Sequence, residues 1–177
     1  MDQVATILVE SFYNPTVLSR QFFYLSELSR LQCNFPYSDP DHSFFVACEK
    51  KSSSSNKKDD KIVGFVDVNA RPGTRETDAP RPYLSDLAVS PSFRRRGVAL
   101  KLVNECEKEV TFWEKDQLYL RVEEKNAGAL KMYSDLGYGA IDHHYFGVKD
   151  TTILLRRGFT DASEDSSFSE VAVDYLI

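Results

Sequence analysis

The sequence lacks the features that mark several large classes of protein. No run of apolar residues approaches the roughly 20 that a membrane-spanning helix needs. Lysine and arginine total 22 against 27 aspartate and glutamate residues, and the net charge of −5 argues against a nucleic-acid-binding protein. No apolar signal-peptide core is visible, because Met1 and Asp2 lead straight into an amphipathic pattern. We therefore expect neither a membrane nor a nucleic acid as a partner.

Cysteine is also scarce. Cys33, Cys48 and Cys106 are an odd number without a C-x-x-C pair, which argues against both a disulfide framework and a zinc site. We therefore expect thiols without a partner, no bound metal and a reducing intracellular compartment.

Length and apolar spacing predict one α/β domain. The 177 residues, of which 42% are hydrophobic, suffice for a single sizeable core. We assign residues 1–157 to this domain and residues 158–177, which are acidic and rich in serine, to a tail. The spacing predicts helices over 3–13, 17–31, 97–112 and 126–136, and strands over 42–49, 62–69, 83–89, 117–123, 138–148 and 151–157. Residues 50–61 are predicted to form a loop, and Gly137 to cap the end of the last helix.

The most informative stretch is Arg94-Arg95-Arg96-Gly97-Val98-Ala99, at the junction of a predicted strand and a predicted helix. The first four amides of a helix have no partner within it, and the helix dipole places about half a positive charge there. Gly97 allows a ligand to approach the backbone, and the arginines add forked hydrogen-bond donors. The stretch therefore predicts a site for a phosphate-bearing ligand.

Motif spacing narrows this ligand. Neither the G-x-x-x-x-G-K-[ST] of a P-loop nor the G-x-G-x-x-G of a dinucleotide site is present. Instead, R-x-x-G-x-A at Arg94–Ala99 precedes N-x-x-A-x-x-x-Y-x-x-x-G-Y at Asn126–Tyr138, with a predicted strand between them. In order and spacing the two segments resemble those of the GNAT, or Gcn5-related, N-acetyltransferase superfamily. They look similar to RimI-like enzymes and to the protein acetyltransferases of plastids and cyanobacteria.

The resemblance implies a fold of the α/β (α+β) class. A GNAT fold has a mixed, mostly antiparallel sheet of about six or seven strands, splayed in the middle and flanked by about four helices. The family begins with a strand, whereas this chain begins with a predicted helix. The apolar segment Val171–Ile177 is one candidate to replace that strand.

On the donor side, the resemblance implies acetyl-CoA as cosubstrate. The pantetheine arm would lie along the backbone of the predicted strand at Leu87, Ala88 and Val89. Asn126 would bond the same arm or a water, and it also suits the start of a helix. The pyrophosphate would lie on the loop and first helical turn that comprise Arg94, Arg95, Arg96, Gly97, Val98, Ala99 and Leu100.

For catalysis, the resemblance makes Tyr133 the general acid that protonates the departing thiolate. A phenol that titrates near ~10 is protonated at neutral pH. A tyrosine packed on the apolar stripe of a helix is the alternative interpretation.

The general base is open between Tyr83, Glu123 and, with less support, Asp86, or a chain of waters without a dedicated base. A RimI-like carboxylate is not available, because Arg121 stands at its position five residues before Asn126.

The acceptor is a primary amine in this interpretation, most simply a protein α-amino group, a lysine, or both. A small-molecule amine acetyltransferase and a non-catalytic acyl-CoA-binding sensor are the alternatives. The segment His143-His144-Tyr145 offers either a wall of the acceptor pocket or ordinary strand packing. The compartment remains open between cytoplasm and plastid stroma, and the assembly between monomer and homodimer.

Overall fold

The computed structural model describes residues 1–13, 15–33, 40–49, 60–72, 79–141 and 152–159. They contain six strands: β1 (His42–Glu49), β2 (Lys61–Asn69), β3 (Tyr83–Val89), β4 (Gln117–Glu123), β5 (Gly139–Ala140) and β6 (Thr152–Gly158). The helices are α1 (Asp2–Phe12), α2 (Val17–Cys33), α3 (Val98–Phe112) and α4 (Ala127–Asp135). Most of the predicted loop 50–61, the segment His143-His144-Tyr145 and the tail from residue 160 lie outside the described residues.

The described strands form one sheet in the order β1-β2-β3-β4-β6-β5. All neighbouring strands are antiparallel except β3 and β4, which are parallel because α3 crosses from one to the other. The predicted mixed, mostly antiparallel sheet is confirmed. No strand precedes α1 in the described N-terminal residues, so β1 is an edge strand of the described sheet. Val171–Ile177, the segment considered as a replacement, is not among the described residues.

The sheet separates two apolar cores, because successive side chains of a strand point to opposite faces. One core lies between the sheet and α1 and α2, and the other between the sheet and α3 and α4. The first contains Val4, Leu8, Leu31, Val46 and Phe65, and the second contains Val66, Val68, Leu84, Leu102, Val103, Leu120 and Tyr133.

Gly64 in β2 sets how closely α3 approaches the sheet. A Cβ atom at this position would lie 2.9 Å from Leu102 Cδ1 and 3.1 Å from Val98 Cγ1. Because Gly64 pairs with Val89 at the end of β3, the close contact fixes the first turn of α3 beside the end of that strand.

Candidate active site

The sheet opens between β3 and β4. Each strand has 7 residues, but they pair only at Tyr83 with Tyr119 and at Leu84 with Leu120. On the outer sides, β2 accompanies β3 as far as Val89 and β6 accompanies β4 as far as Glu123. The two strands therefore diverge beyond Leu84 rather than end there. The predicted splay is confirmed, and its walls carry backbone groups that take no part in β3–β4 pairing.

A bulge in β3 lies beside this opening. Phe65 of β2 is opposite Ala88 and Asp67 is opposite Ser85, so two β3 residues lie across from the one β2 residue between them. One of the two is Asp86, whose φ of 56° lies in the left-handed region that side chains other than glycine rarely adopt. Nothing in the pattern of Tyr83–Val89 predicts this bulge.

The start of α3 has the geometry of an anion site. Gly97 is its N-cap with a φ of 78°, and no side chain caps the helix there. The first turn contains no acidic residue, so nothing offsets the positive end of the dipole. A Cβ atom on Gly97 would meet nothing within 4 Å. Glycine is therefore required here for its backbone conformation, which is a different reason from the close approach considered in the sequence.

The three arginines before Gly97 have different surroundings. Arg94 braces the loop, because its Nε donates to the Val89 carbonyl at 2.9 Å and its Nη2 to Ser11 Oγ at 3.4 Å. Arg95 reaches toward α4, with Nη1 4.0 Å from the position of a Cβ on Gly128. Arg96 lies over the Phe93 ring at 5.1 Å. All three are exposed and place positive charge beside the start of α3.

Both ends of α4 have the predicted caps. Asn126 is the N-cap, and its Oδ1 accepts a hydrogen bond from the Ala129 amide at 3.1 Å. Gly137 follows the helix with a φ of 85°, while the Tyr138 amide donates to the Tyr133 carbonyl at 2.9 Å. The capping interpretations of Asn126 and Gly137 are confirmed, and α4 begins directly after the turn that follows β4.

Tyr133 is buried on the inner face of α4. It is 4% exposed, and its ring meets that of Tyr138 edge to face at 5.4 Å. Burial raises its pKa above the ordinary value, and negative charge at Cys106 or Tyr83 would raise it further. The phenol therefore stays protonated, and its hydroxyl makes no hydrogen bond to the described residues. Core packing and a donor role for the hydroxyl are both compatible with this placement.

Tyr83 lies at the base of the splay. It starts β3, pairs with Asn69 and Tyr119, and places its ring 5.7 Å from the Arg81 guanidinium. Its neighbour Leu84 belongs to the core beneath α3, so the Tyr83 side chain lies on the opposite face of the sheet.

The two carboxylates predicted as bases have contrasting surroundings. Glu123 is exposed at the end of β4, on the strand face that it shares with Arg121. Asp86 is bound to the Arg30 guanidinium, with Nη1 and Oδ2 at 2.8 Å. Burial raises the pKa of Asp86, and Arg30 opposes this rise. Asp86 is therefore already engaged, whereas the Glu123 carboxylate is open to solvent.

Two side-chain networks on the α1/α2 side of the sheet are not foreseen in the sequence. In the first, Tyr13 and Arg30 both bind the buried Glu27. In the second, Asp67 accepts hydrogen bonds from Ser85 Oγ at 3.0 Å and from His42, whose Nε2 lies 2.6 Å from its carboxylate. Their members lie on separate elements with no recurrent spacing, so motif reading cannot find them.

Comparison with known proteins identifies the family. Residues 2–138 match the family described as the Acetyltransferase (GNAT) family. The chain belongs to the GNAT family. The splayed strands, the glycine-capped start of α3 and the α4 tyrosine all lie within the matched residues.

Individual relatives extend this assignment. The chain is 31% identical over 153 residues, 79% of its length, to "GCN5-related N-acetyltransferase 10, chloroplastic" of Arabidopsis thaliana. It spans 58% of that protein, which is under two thirds of its length.

Among solved structures, aminoglycoside 6'-acetyltransferase type Ii superposes with a TM-score of 0.64 at 19% identity, over 92% of this chain and 91% of that one. The NatC complex bound to Gag peptide and CoA contains a chain that superposes with a TM-score of 0.57 at 20% identity, over 90% and 92% of the two chains. At such identities these likenesses show the GNAT fold alone. Within the described residues, no helix is long and apolar enough to span a membrane.

Proposed function

We propose that this GNAT domain transfers the acetyl group of acetyl-CoA to a primary amine, first of all to a protein α-amino group and also to lysine. One observation carries the proposal. The two strands that diverge, β3 and β4, are followed by α3 and α4, and each helix would supply a part of the site. The helix after β3 begins with uncapped amides, and the helix after β4 carries the buried Tyr133.

The donor would bind along β3 and onto α3. The pyrophosphate would accept hydrogen bonds from the amides of Val98, Ala99 and Leu100, while Arg95 and Arg96 neutralise its charge. The pantetheine arm would lie in the splay as an added strand against Leu87–Val89. The matched family and a similar fold with CoA bound support this placement.

Tyr133 would assist the departure of the sulfur. The amine nitrogen attacks the thioester carbon, the carbon–sulfur bond breaks, and the thiolate gains a proton. A raised pKa keeps the Tyr133 phenol protonated, but it also makes full transfer to a thiolate of pKa near ~8.5 uphill. We therefore propose that Tyr133 first donates a hydrogen bond to the developing thiolate. Its proton would be transferred only as negative charge builds up on the sulfur.

The basic groups near the splay favour an acceptor that loses its proton easily. Arg121 occupies the position of a RimI-like base, and Arg30 engages Asp86. Tyr83 and Glu123 remain as the proposed bases. An α-amino group titrates near ~8 and a lysine near ~10.4, so the first needs far less help at neutral pH. We therefore place the α-amino group ahead of lysine as acceptor.

A peptide library tests this order of acceptors. Peptides with free or blocked N-termini, each with and without lysine, are incubated with acetyl-CoA, and the acetylated positions are mapped by mass spectrometry. We expect the free α-amino groups to react fastest, and blocked peptides with lysine to react more slowly. A protein that binds acetyl-CoA but acetylates none of the peptides would instead be an acyl-CoA-binding sensor.

A small-molecule amine is the second candidate acceptor. A protein of the same fold, aminoglycoside 6'-acetyltransferase type Ii, is named for such an acceptor, so the fold accommodates both classes of amine. Adding polyamines and aminoglycosides to the same assay separates the two acceptors. Preference for such amines over every peptide would replace the proposal of a protein acceptor.

The chloroplast location in the relative's name supports the plastid stroma as the compartment.

A further inference from the structure

Asp86, the strained residue of β3, is held by a side chain from another element of the fold. Asp86 adopts a φ of 56° at the bulge, where a residue with a side chain is disfavoured. The bulge separates Tyr83 and Leu84, which still pair with β4, from Leu87–Val89, which lie beyond the splay. It therefore decides which backbone groups of the second half of β3 face the opening.

The side chain of Arg30 reaches this bulge from α2. Its Nη1 lies 2.8 Å from Asp86 Oδ2, and the side-chain exposures of 43% and 24% make this a partly desolvated pair. Arg30 and Asp86 belong to different layers of the fold, a helix and the sheet beneath it. The contact therefore ties the position of the bulge to the position of α2.

Arg30 is itself held in place by Glu27. Its Nε and Nη2 both donate to Glu27 Oε2, at 2.9 and 2.7 Å. Glu27 is 6% exposed, and its other oxygen accepts a hydrogen bond from the Tyr13 hydroxyl at 2.6 Å. The Tyr13 ring in turn stacks on Phe23 at 4.5 Å. With two of its nitrogens held by Glu27, the guanidinium presents a directed donor to Asp86 rather than a mobile charge.

We propose that Arg30 is a positioning residue that holds the left-handed conformation of Asp86 and thereby sets the acetyl-CoA-binding edge of β3. The proposal rests on acetyl-CoA as the donor, and it adds a role for an α2 residue outside the groups that we propose bind the donor. Removal of Arg30 would let Asp86 relax toward ordinary β conformation. The bulge would then shift, and Leu87–Val89 would no longer present the same groups to the pantetheine arm.

Substitutions at residue 86 separate conformation from charge. Glycine adopts a positive φ without strain, so it needs no support from Arg30, whereas alanine loses the carboxylate and keeps the strain. We expect Asp86→Ala to weaken acetyl-CoA binding about tenfold and Asp86→Gly to stay within about threefold of the parent. Equal affinities of these two variants would overturn the proposal, and this comparison holds even if no Arg30 variant folds.

Rescue of an Arg30 variant is the second test of the proposal. We expect Arg30→Gln to weaken acetyl-CoA binding about tenfold and Arg30→Gln with Asp86→Gly to recover most of that loss. The matched control is Arg20→Gln in the same helix, because Arg20 joins Glu10 in a separate α1–α2 ion pair at 2.8 Å. A double variant that folds but binds no better than Arg30→Gln, or a control that is equally weakened, would contradict the proposal.

An NMR measurement on the ligand-free protein distinguishes failure of this inference from failure of the proposed function. The Cα and Cβ shifts of residue 86 report its backbone conformation without any donor. We expect the signature of positive φ in the parent and its loss in Arg30→Gln. Unchanged shifts in Arg30→Gln would refute the positioning role. Changed shifts in a protein that binds no acetyl-CoA would keep the role of Arg30 in the fold and reject acetyl-CoA as the ligand.

Discussion

The two halves of the region around the splay are built by different means. The first half, at the end of β3 and the starts of α3 and α4, is where we propose that the donor binds, and it consists largely of backbone groups set by short segments. Gly97 and Asn126 fix its helix starts within a few residues. The half beneath α1 and α2 consists of side chains from distant segments, such as Arg30 on Asp86 and His42 on Asp67.

This difference shows how the site could diversify. A backbone platform depends on conformation and tolerates many side chains, so its few required residues recur as motifs. A network of side chains depends on pairings across the fold, and each pairing can be replaced by another. One half can therefore stay the same while the other changes from one protein to another.

The largest effect is expected from Tyr133→Phe, which removes the phenol hydroxyl that we propose donates a hydrogen bond to the departing sulfur. We expect kcat to fall by about 10²–10³ because the departing thiolate loses its donor, while acetyl-CoA affinity stays near that of the parent. The control is Tyr24→Phe, which removes an α2 hydroxyl that donates a hydrogen bond to Asp2 of α1 at 2.9 Å. An unaltered rate in the Tyr133 variant would leave this tyrosine with core packing alone.

Gly97→Ala tests the backbone platform. Alanine in the left-handed region costs roughly 1–2 kcal/mol, so acetyl-CoA binding should weaken about tenfold or the helix start should refold. Gly139→Ala is the matched control, since a Cβ at either position meets nothing within 4 Å and only Gly97 has a positive φ. Calorimetry with acetyl-CoA measures both. Equal affinities for the two variants would show that the conformation of Gly97 does not matter to the ligand.

The pH profile tests which group limits the rate. The pKa of Tyr133 is raised by burial, so its phenol keeps its proton while the acceptor amine loses one. With an α-amino acceptor, kcat/KM should therefore rise through about pH 8 and show no descending limb below about pH 10. A descending limb centred below pH 9 that is absent from Tyr133→Phe would assign that titration to Tyr133 and contradict its raised pKa.

The smallest effect is expected at the start of α4. Asn126→Ala removes the Oδ1 that accepts from the Ala129 amide, which should lower the free energy of unfolding by about 1 kcal/mol. Ser134→Ala, on the exposed side of the same helix, is the control for thermal or denaturant unfolding. If acetyl-CoA affinity also falls in the Asn126 variant alone, the predicted contact to the pantetheine arm gains support. No loss of stability would argue against the cap.

The sequence predicted most elements of the fold because these depend on local signals. Periodicity locates α3 and β4, and Asn126 and Gly137 show the capping roles expected of them. The bulge at Asp86 was not predictable, since it depends on the register with β2 and, in our proposal, on the ion pair to Arg30. Arg30 itself looks like any charge on an amphipathic helix until the sheet beneath it is known.

One measurement tests the central claim most directly. The protein is incubated with acetyl-CoA and a lysine-free peptide that has a free N-terminus, and acetylated peptide and released CoA are quantified together. We predict equal amounts of the two products, and their rate should fall by about 10²–10³ in Tyr133→Phe. CoA release without acetylated peptide, or a folded protein that neither binds acetyl-CoA nor acetylates any amine tested, would contradict the proposed activity.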